Sequence, residues 1–142
     1  MNKDVIISIK GTESLIDDND SDNIELVTEG QYYKKGNKHY LSYAESEEMT
    51  GYDHTQTTLK IDGDTVSLTR FGNVNSHMVF KEGKKHIGHY ETPYGSFTVG
   101  IMSDSVNVDI GERSANIRIK YMLEIDNSAK ALHDLQLSIR EA

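Results

Sequence analysis

Apolar side chains recur at every second position through most of this chain. Val5, Ile7 and Ile9 share one parity, as do Leu59 and Ile61, Val66 and Leu68, and Met78 and Phe80. The same alternation runs through Ile24 and Leu26, then Phe97, Val99 and Ile101, then Val106, Val108 and Ile110, and finally Leu135, Leu137 and Ile139. Successive side chains of a strand point to opposite faces, so a period of two predicts strands with one buried face. The clearest covers residues 116–126, with Ile117, Ile119, Tyr121, Leu123 and Ile125 inward and Arg118, Lys120, Met122 and Glu124 toward water.

Turn signals separate these runs: Lys35-Gly36-Asn37, Asp62-Gly63-Asp64, Gly72-Asn73, Glu82-Gly83-Lys84, Ser103-Asp104, Gly111-Glu112 and Asp126-Asn127. Asp62-Gly63 is the best hairpin, because glycine adopts a positive φ without steric cost. No comparable helical period exists. Residues 12–17 and 128–132 could each form one helical turn, too short to stand alone. About ten short antiparallel strands in near-sequential hairpins predict an all-β fold, a single antiparallel barrel of about eight to ten strands, with an open sandwich as the alternative. Closure is favoured because it removes exposed strand edges. At 142 residues the whole chain is expected to be one domain.

Composition narrows the partners. Hydrophobic residues are only 36% of the chain, which suits a sheet with one wet face. The net charge of −8 repels phosphate backbones, and the lysines are scattered. Nucleic acid and anionic membranes are therefore not expected as partners. There is no cysteine, which removes disulfides, thiolate metal sites and cysteine nucleophiles. The N-terminal apolar run is too short for a signal peptide, and no stretch is long enough to span a bilayer. The cytoplasm is the default compartment.

Two charges break the inward pattern. Arg70 shares the parity of Val66 and Leu68, and Glu45 shares that of Leu41 and Tyr43. A buried charge is costly unless paired or hydrogen-bonded. These two either meet each other, with the Tyr43 or Tyr121 hydroxyl completing a structural clamp, or Arg70 anchors the carboxylate or phosphate of a ligand. Tyr90-Glu91-Thr92-Pro93-Tyr94-Gly95 reads as a rigid turn that stands Tyr90 and Tyr94 near a barrel rim, where rings either line a mouth or plug it. Ligand-binding candidates are thus Arg70, Glu45, Tyr43, Tyr90, Tyr94 and Tyr121.

Other chemistry is weaker. Asp18, Asp20, Asp22 and Glu29 occupy positions one, three, five and twelve of the EF-hand calcium pattern. Asn23 stands where glycine is usual, and residues 24–27 read as a strand that would carry Glu29 away, so a solvated acidic loop is the better reading. His86 and His89, three apart on a strand, point to opposite faces. No serine sits in a nucleophile elbow, although His39 shares the parity of Glu45. No metal, cofactor or catalytic residue is expected, and catalysis is less favoured than binding. A possible small-molecule ligand is the one partner class that the inward charges suggest.

The runs Gly30-Gln31-Tyr32-Tyr33, Tyr40-Leu41-Ser42-Tyr43-Ala44-Glu45, Thr69-Arg70-Phe71-Gly72, Met78-Val79-Phe80, Tyr90-Glu91-Thr92-Pro93-Tyr94-Gly95 and Tyr121-Met122-Leu123 resemble the YwiB-like family of small bacterial proteins over nearly the whole chain. The resemblance implies a calycin-like, lipocalin-like β-barrel. It brings no established activity and no catalytic residues, and ligand binding follows only by analogy of fold. The competing expectation is a filled barrel that serves as a non-catalytic structural or protein-interaction module.

Overall fold

The computed structural model describes residues 2–15, 21–126 and 129–142. Its strands are β1 (Asn2–Leu15), β2 (Ser21–Lys35), β3 (Lys38–Ala44), β4 (Thr55–Asp62), β5 (Thr65–Gly72), β6 (Asn75–Lys81), β7 (Lys85–Thr92), β8 (Gly95–Ile110), β9 (Ser114–Ile125) and β10 (Ala129–Glu141), with a short helix α1 (Glu47–Thr50) between β3 and β4. Each strand pairs antiparallel with its neighbours in sequence, and β10 returns to β1, closing a ten-stranded barrel. Among the described residues no helix is long and apolar enough to cross a membrane.

Inward side chains stand in register from strand to strand and divide the interior into levels. Ile61, Val66 and Phe80 form one level near the end opposite α1, and Leu41, Leu59, Leu68 and Met78 form the next. Side chains fill this half; Phe80, Leu59 and Ile119 have no solvent exposure. One level nearer α1 the row becomes Tyr43, Thr57, Arg70, Ser76, Tyr90 and Phe97. Gly30 completes that row beside Tyr43. A Cβ on Gly30 would lie 2.6 Å from the Ser42 carbonyl oxygen and 2.7 Å from Ile7 Cδ1, so only glycine lets the wall close up there.

The structure corrects several local expectations. Ser103-Asp104 is no turn: β8 runs through it, with a bulge between Ser103 and Ser105. One extra residue switches which parity faces inward, so Val99, Ile101 and Ser103 are buried and, past the bulge, Val106, Val108 and Ile110 pack on the core. Two expected strands are thus one. β7 replaces the lost one, with His86, Gly88, Tyr90 and Thr92 on its inner parity. It pairs with β6 at only two positions, Asn75 with Glu91 and Ser76 with Tyr90. The candidate helical turns lie in strands instead, residues 12–15 in β1 and 129–132 in β10; Asp17 and Ser128 fall outside the described residues. Among the described residues the one helix is α1. Ser46 caps it by accepting from the Glu48 N–H at 3.1 Å, and Gly51 ends it with φ 82°, a serine-to-glycine bracket that the sequence displays.

Candidate functional site

Glu45 leaves the end of β3 turned inward, and Arg70 reaches it from β5. Arg70 Nε donates to Glu45 Oε2 at 3.2 Å, and Thr57 Oγ1 donates to the same oxygen at 2.6 Å. The Ser46 N–H reaches Glu45 Oε1 at 3.3 Å. The Glu45 side chain has no exposure and that of Arg70 only 9%. Thr57 is the cross-strand neighbour of Arg70, so register alone delivers the hydroxyl that shares the carboxylate. Thr55 ties the surrounding loops: its carbonyl accepts from the Glu45 N–H at 2.7 Å and its hydroxyl from the Val74 N–H at 3.3 Å.

Burial opposes the charge on Arg70, but Glu45 first, then Tyr90, Tyr43 and Tyr121, outweigh it and hold the guanidinium above its ordinary value. Among the described residues, Nε is the one guanidinium nitrogen with a hydrogen bond to protein. The terminal nitrogens remain for the cavity that Arg70 lines.

That cavity, about 400 Å³, occupies the half of the barrel toward α1. Its walls are mostly apolar, with Val99, Leu123, Leu135 and Met78 beside Arg70, and Met49 of α1 lies against it. Tyr90, Tyr121 and His133 bring polar edges. The His133 ring stacks on Tyr121 with centroids 4.8 Å apart and planes 4° from parallel. Burial lowers the His133 pKa, partly countered by Glu13. Three buried polar atoms, Ser76 Oγ, Ser103 Oγ and His133 Nε2, have no hydrogen-bond partner among the described residues.

Burial pushes the Tyr121 hydroxyl up to about 12, with Arg70 acting in the lowering direction. Tyr43 is also raised, by burial and then by Glu45. A raised folded-state value means that neutral Tyr121 contributes stability in full below about pH 10, its ordinary value, and loses it as pH rises through about 12. In a spectrophotometric titration, Tyr121→Phe is expected to leave the phenolate signal near pH 10 unchanged and to remove part of the late signal. A loss of amplitude near pH 10 would contradict the burial of Tyr121.

The six expected site residues separate. Arg70, Tyr90 and Tyr121 line the cavity, and Glu45 stands behind Arg70 as its partner. Tyr43 is only 5% exposed and belongs to the core. Tyr94 is 88% exposed on the turn between β7 and β8, its ring 6.1 Å from Tyr52, and does not line the cavity.

The remaining candidates scatter. His39 bonds the Tyr32 hydroxyl, not Glu45. Asp18 and Asp20 lie outside the described residues, while Asp22 and Glu29 have opposite parity in β2. Among the described residues, no group of three or more His, Asp or Glu could hold a metal ion. Sequence reasoning missed Met49, His133 and Glu13. The parity of Glu13 with Val5, Ile7 and Ile9 was the available signal for the last.

Comparison with known proteins agrees with this architecture. The family described as a domain of unknown function, DUF1934, matches residues 7–139. The chain is 27% identical over 138 residues to the uncharacterized β-barrel protein YwiB of Bacillus subtilis, covering 97% of this chain and 95% of that protein. The crystal structure of the YwiB protein from Bacillus subtilis superposes with a TM-score of 0.86 at 26% identity, over 99% of this chain and 93% of the other.

Proposed function

The chain belongs to the DUF1934 family, and from its barrel and cavity we propose that it is a small-molecule-binding protein that seats an anionic group on Arg70. The observation that carries this is a guanidinium buried at a cavity wall with one nitrogen committed to Glu45 and its terminal nitrogens uncommitted. Guanidinium nitrogens in a fork match the two oxygens of a carboxylate, and a site of low dielectric strengthens the contact. The volume lies within the usual range for small-molecule pockets, and the apolar walls with few polar groups fit an amphipathic ligand. Binding, not catalysis, suits the polar groups at hand: among the described residues no serine hydroxyl is hydrogen-bonded to a histidine. The fold is calycin-like on this proposal, the protein acts in the cytoplasm, and neither nucleic acid nor membrane is its partner.

Octanoate serves as the probe. Native mass spectrometry of the gently purified protein with octanoate is expected to show a one-to-one adduct lost on denaturation. The double variant Arg70→Met/Glu45→Leu, which leaves no lone buried charge, is expected to weaken octanoate at least tenfold while remaining folded. Unchanged affinity in the folded double variant would sink the proposal. The Glu45–Arg70 pair itself favours a second reading, an internal clamp in a barrel whose function lies on its outer surface. That reading gains if no adduct forms.

A further inference from the structure

At the mouth of the cavity the inward positions turn acidic. Glu13 continues the inner parity of Val5, Ile7 and Ile9 in β1, and Asp22 is its direct cross-strand partner in β2. Both line the cavity. Like charges directly opposite on one face of a sheet repel, so their placement is a local disadvantage to the fold. Among the described residues neither carboxylate has a hydrogen bond or an ion pair.

The cations nearby are engaged elsewhere. Lys130 also borders the cavity, but from the outer parity of β10, and its ammonium stands 3.9 Å from Glu124 Oε1. Arg118 is bound to Asp134 through two hydrogen bonds, of 3.2 and 2.9 Å. His133 faces Glu13 across the β1–β10 pairing, and burial favours its neutral form. The cavity therefore has in its wall a buried guanidinium, Arg70, whose terminal nitrogens are free of protein hydrogen bonds, apolar side chains at Val99, Leu123 and Leu135, and two carboxylates, Glu13 and Asp22, with no hydrogen bond or ion pair of their own among the described residues.

We infer that the ligand is dipolar, with a carboxylate at Arg70, an apolar spacer along the wall, and an ammonium or similar cationic group held between Glu13 and Asp22. This rests on the Arg70 seat proposed above and adds a second, independent point of recognition. A plain anion must pass the acidic entrance with nothing to offset the repulsion, whereas an amine at the far end of the same molecule converts that repulsion into attraction.

Calorimetric titration at pH 7 and low salt with octanoate and with 8-aminooctanoate separates the two points. The wild-type protein is expected to bind 8-aminooctanoate about fivefold tighter than octanoate, a ratio appropriate to partly exposed ion pairs, and to lose that preference at high salt. In Glu13→Gln/Asp22→Asn the preference is expected to vanish while octanoate binds as well or better. Both positions are exposed, and a thermal midpoint equal to or above that of the wild type checks that the variant folds. If octanoate binds and the amine adds nothing, or if its advantage survives in the double variant, the dipolar inference falls and the Arg70 seat stands. If neither compound binds, both fall. If both bind but Arg70→Met/Glu45→Leu affects neither, the Arg70 seat fails and the dipolar assignment fails with it.

Discussion

Replacing Arg70 with Met is expected to destabilise the barrel by about 3–5 kcal/mol, the usual consequence of stranding one partner of a buried pair. The carboxylate left behind is that of Glu45, whose side chain has no exposure. Thr57 Oγ1 at 2.6 Å and the Ser46 N–H at 3.3 Å would be its remaining hydrogen-bond partners. A loss of that size is a large part of the stability of a typical domain. Replacing both residues, Arg70→Met with Glu45→Leu, is expected to restore most of it, because an apolar pair of similar volume removes the need to solvate either charge. Chemical denaturation of the wild type, both single variants and the double variant gives the coupling directly. A loss below about 1 kcal/mol for Arg70→Met, within the range of an exposed pair, would mean that water reaches Glu45 freely and that the pair is no clamp.

The second large effect is expected from Gly72→Ala. Gly72 has φ +126°, a region that side chains with a Cβ rarely adopt. A Cβ there would lie 2.0 Å from the His54 carbonyl oxygen and 3.0 Å from Thr55 Cα. Both contacts are to backbone, so no side-chain rotation relieves them. The Asn73 N–H already bonds that carbonyl at 3.2 Å, and His54 itself has φ 55°, which leaves little freedom to retreat. Strain and overlap together are expected to destabilise the protein by at least about 3 kcal/mol. Gly63→Ala is the control: φ is +61° and nothing lies within 4 Å of its Cβ position, so only the backbone term of about 1–2 kcal/mol applies. Equal thermal midpoints for the two variants would show that the β4 and β5 ends can move apart.

How legible this was depended on what each strand faces. β9 packs Ile117 and Ile119 against the filled half of the barrel, and burial on one face writes a clean alternation into the sequence. β7 turns His86, Gly88, Tyr90 and Thr92 inward; Tyr90 lines the cavity, and His86 and Gly88 border a second hollow beside β6. A wall that borders space needs no apolar side chain at every second position, so the signal that announces a strand fades nearest the site. Gly88 adds to this: its missing Cβ admits the His77 carbonyl oxygen, which would lie 2.6 Å from that atom.

The inward charges Glu45 and Arg70 were readable because each interrupts a strong alternation. Their meeting was not, since it depends on β4 lying between them and setting Thr57 opposite Arg70. The bulge in β8 was hidden for a similar reason. A change of parity at Ser103-Asp104 has the same sequence appearance as two strands joined by a turn, and only pairing with an unbroken β9 tells them apart. Asp22 and Glu13 required the register of β1 against β2 before they could be recognised as opposite one another.

Nine of the ten strand pairings join neighbours in sequence, and the remaining one, β10 to β1, joins Val5 to Glu141 and Leu15 to Ala131. During synthesis the first strand therefore waits for the last. Until β10 has left the ribosome, β1 and the growing end of the sheet each carry a row of unpaired backbone donors and acceptors, a template for pairing with other nascent chains. Contacts of such long sequence separation also form slowly. A chain stalled or cleaved between β9 and β10 keeps nine strands of wall with two open borders, so the last strand alone decides whether this sheet ends with edges or without them.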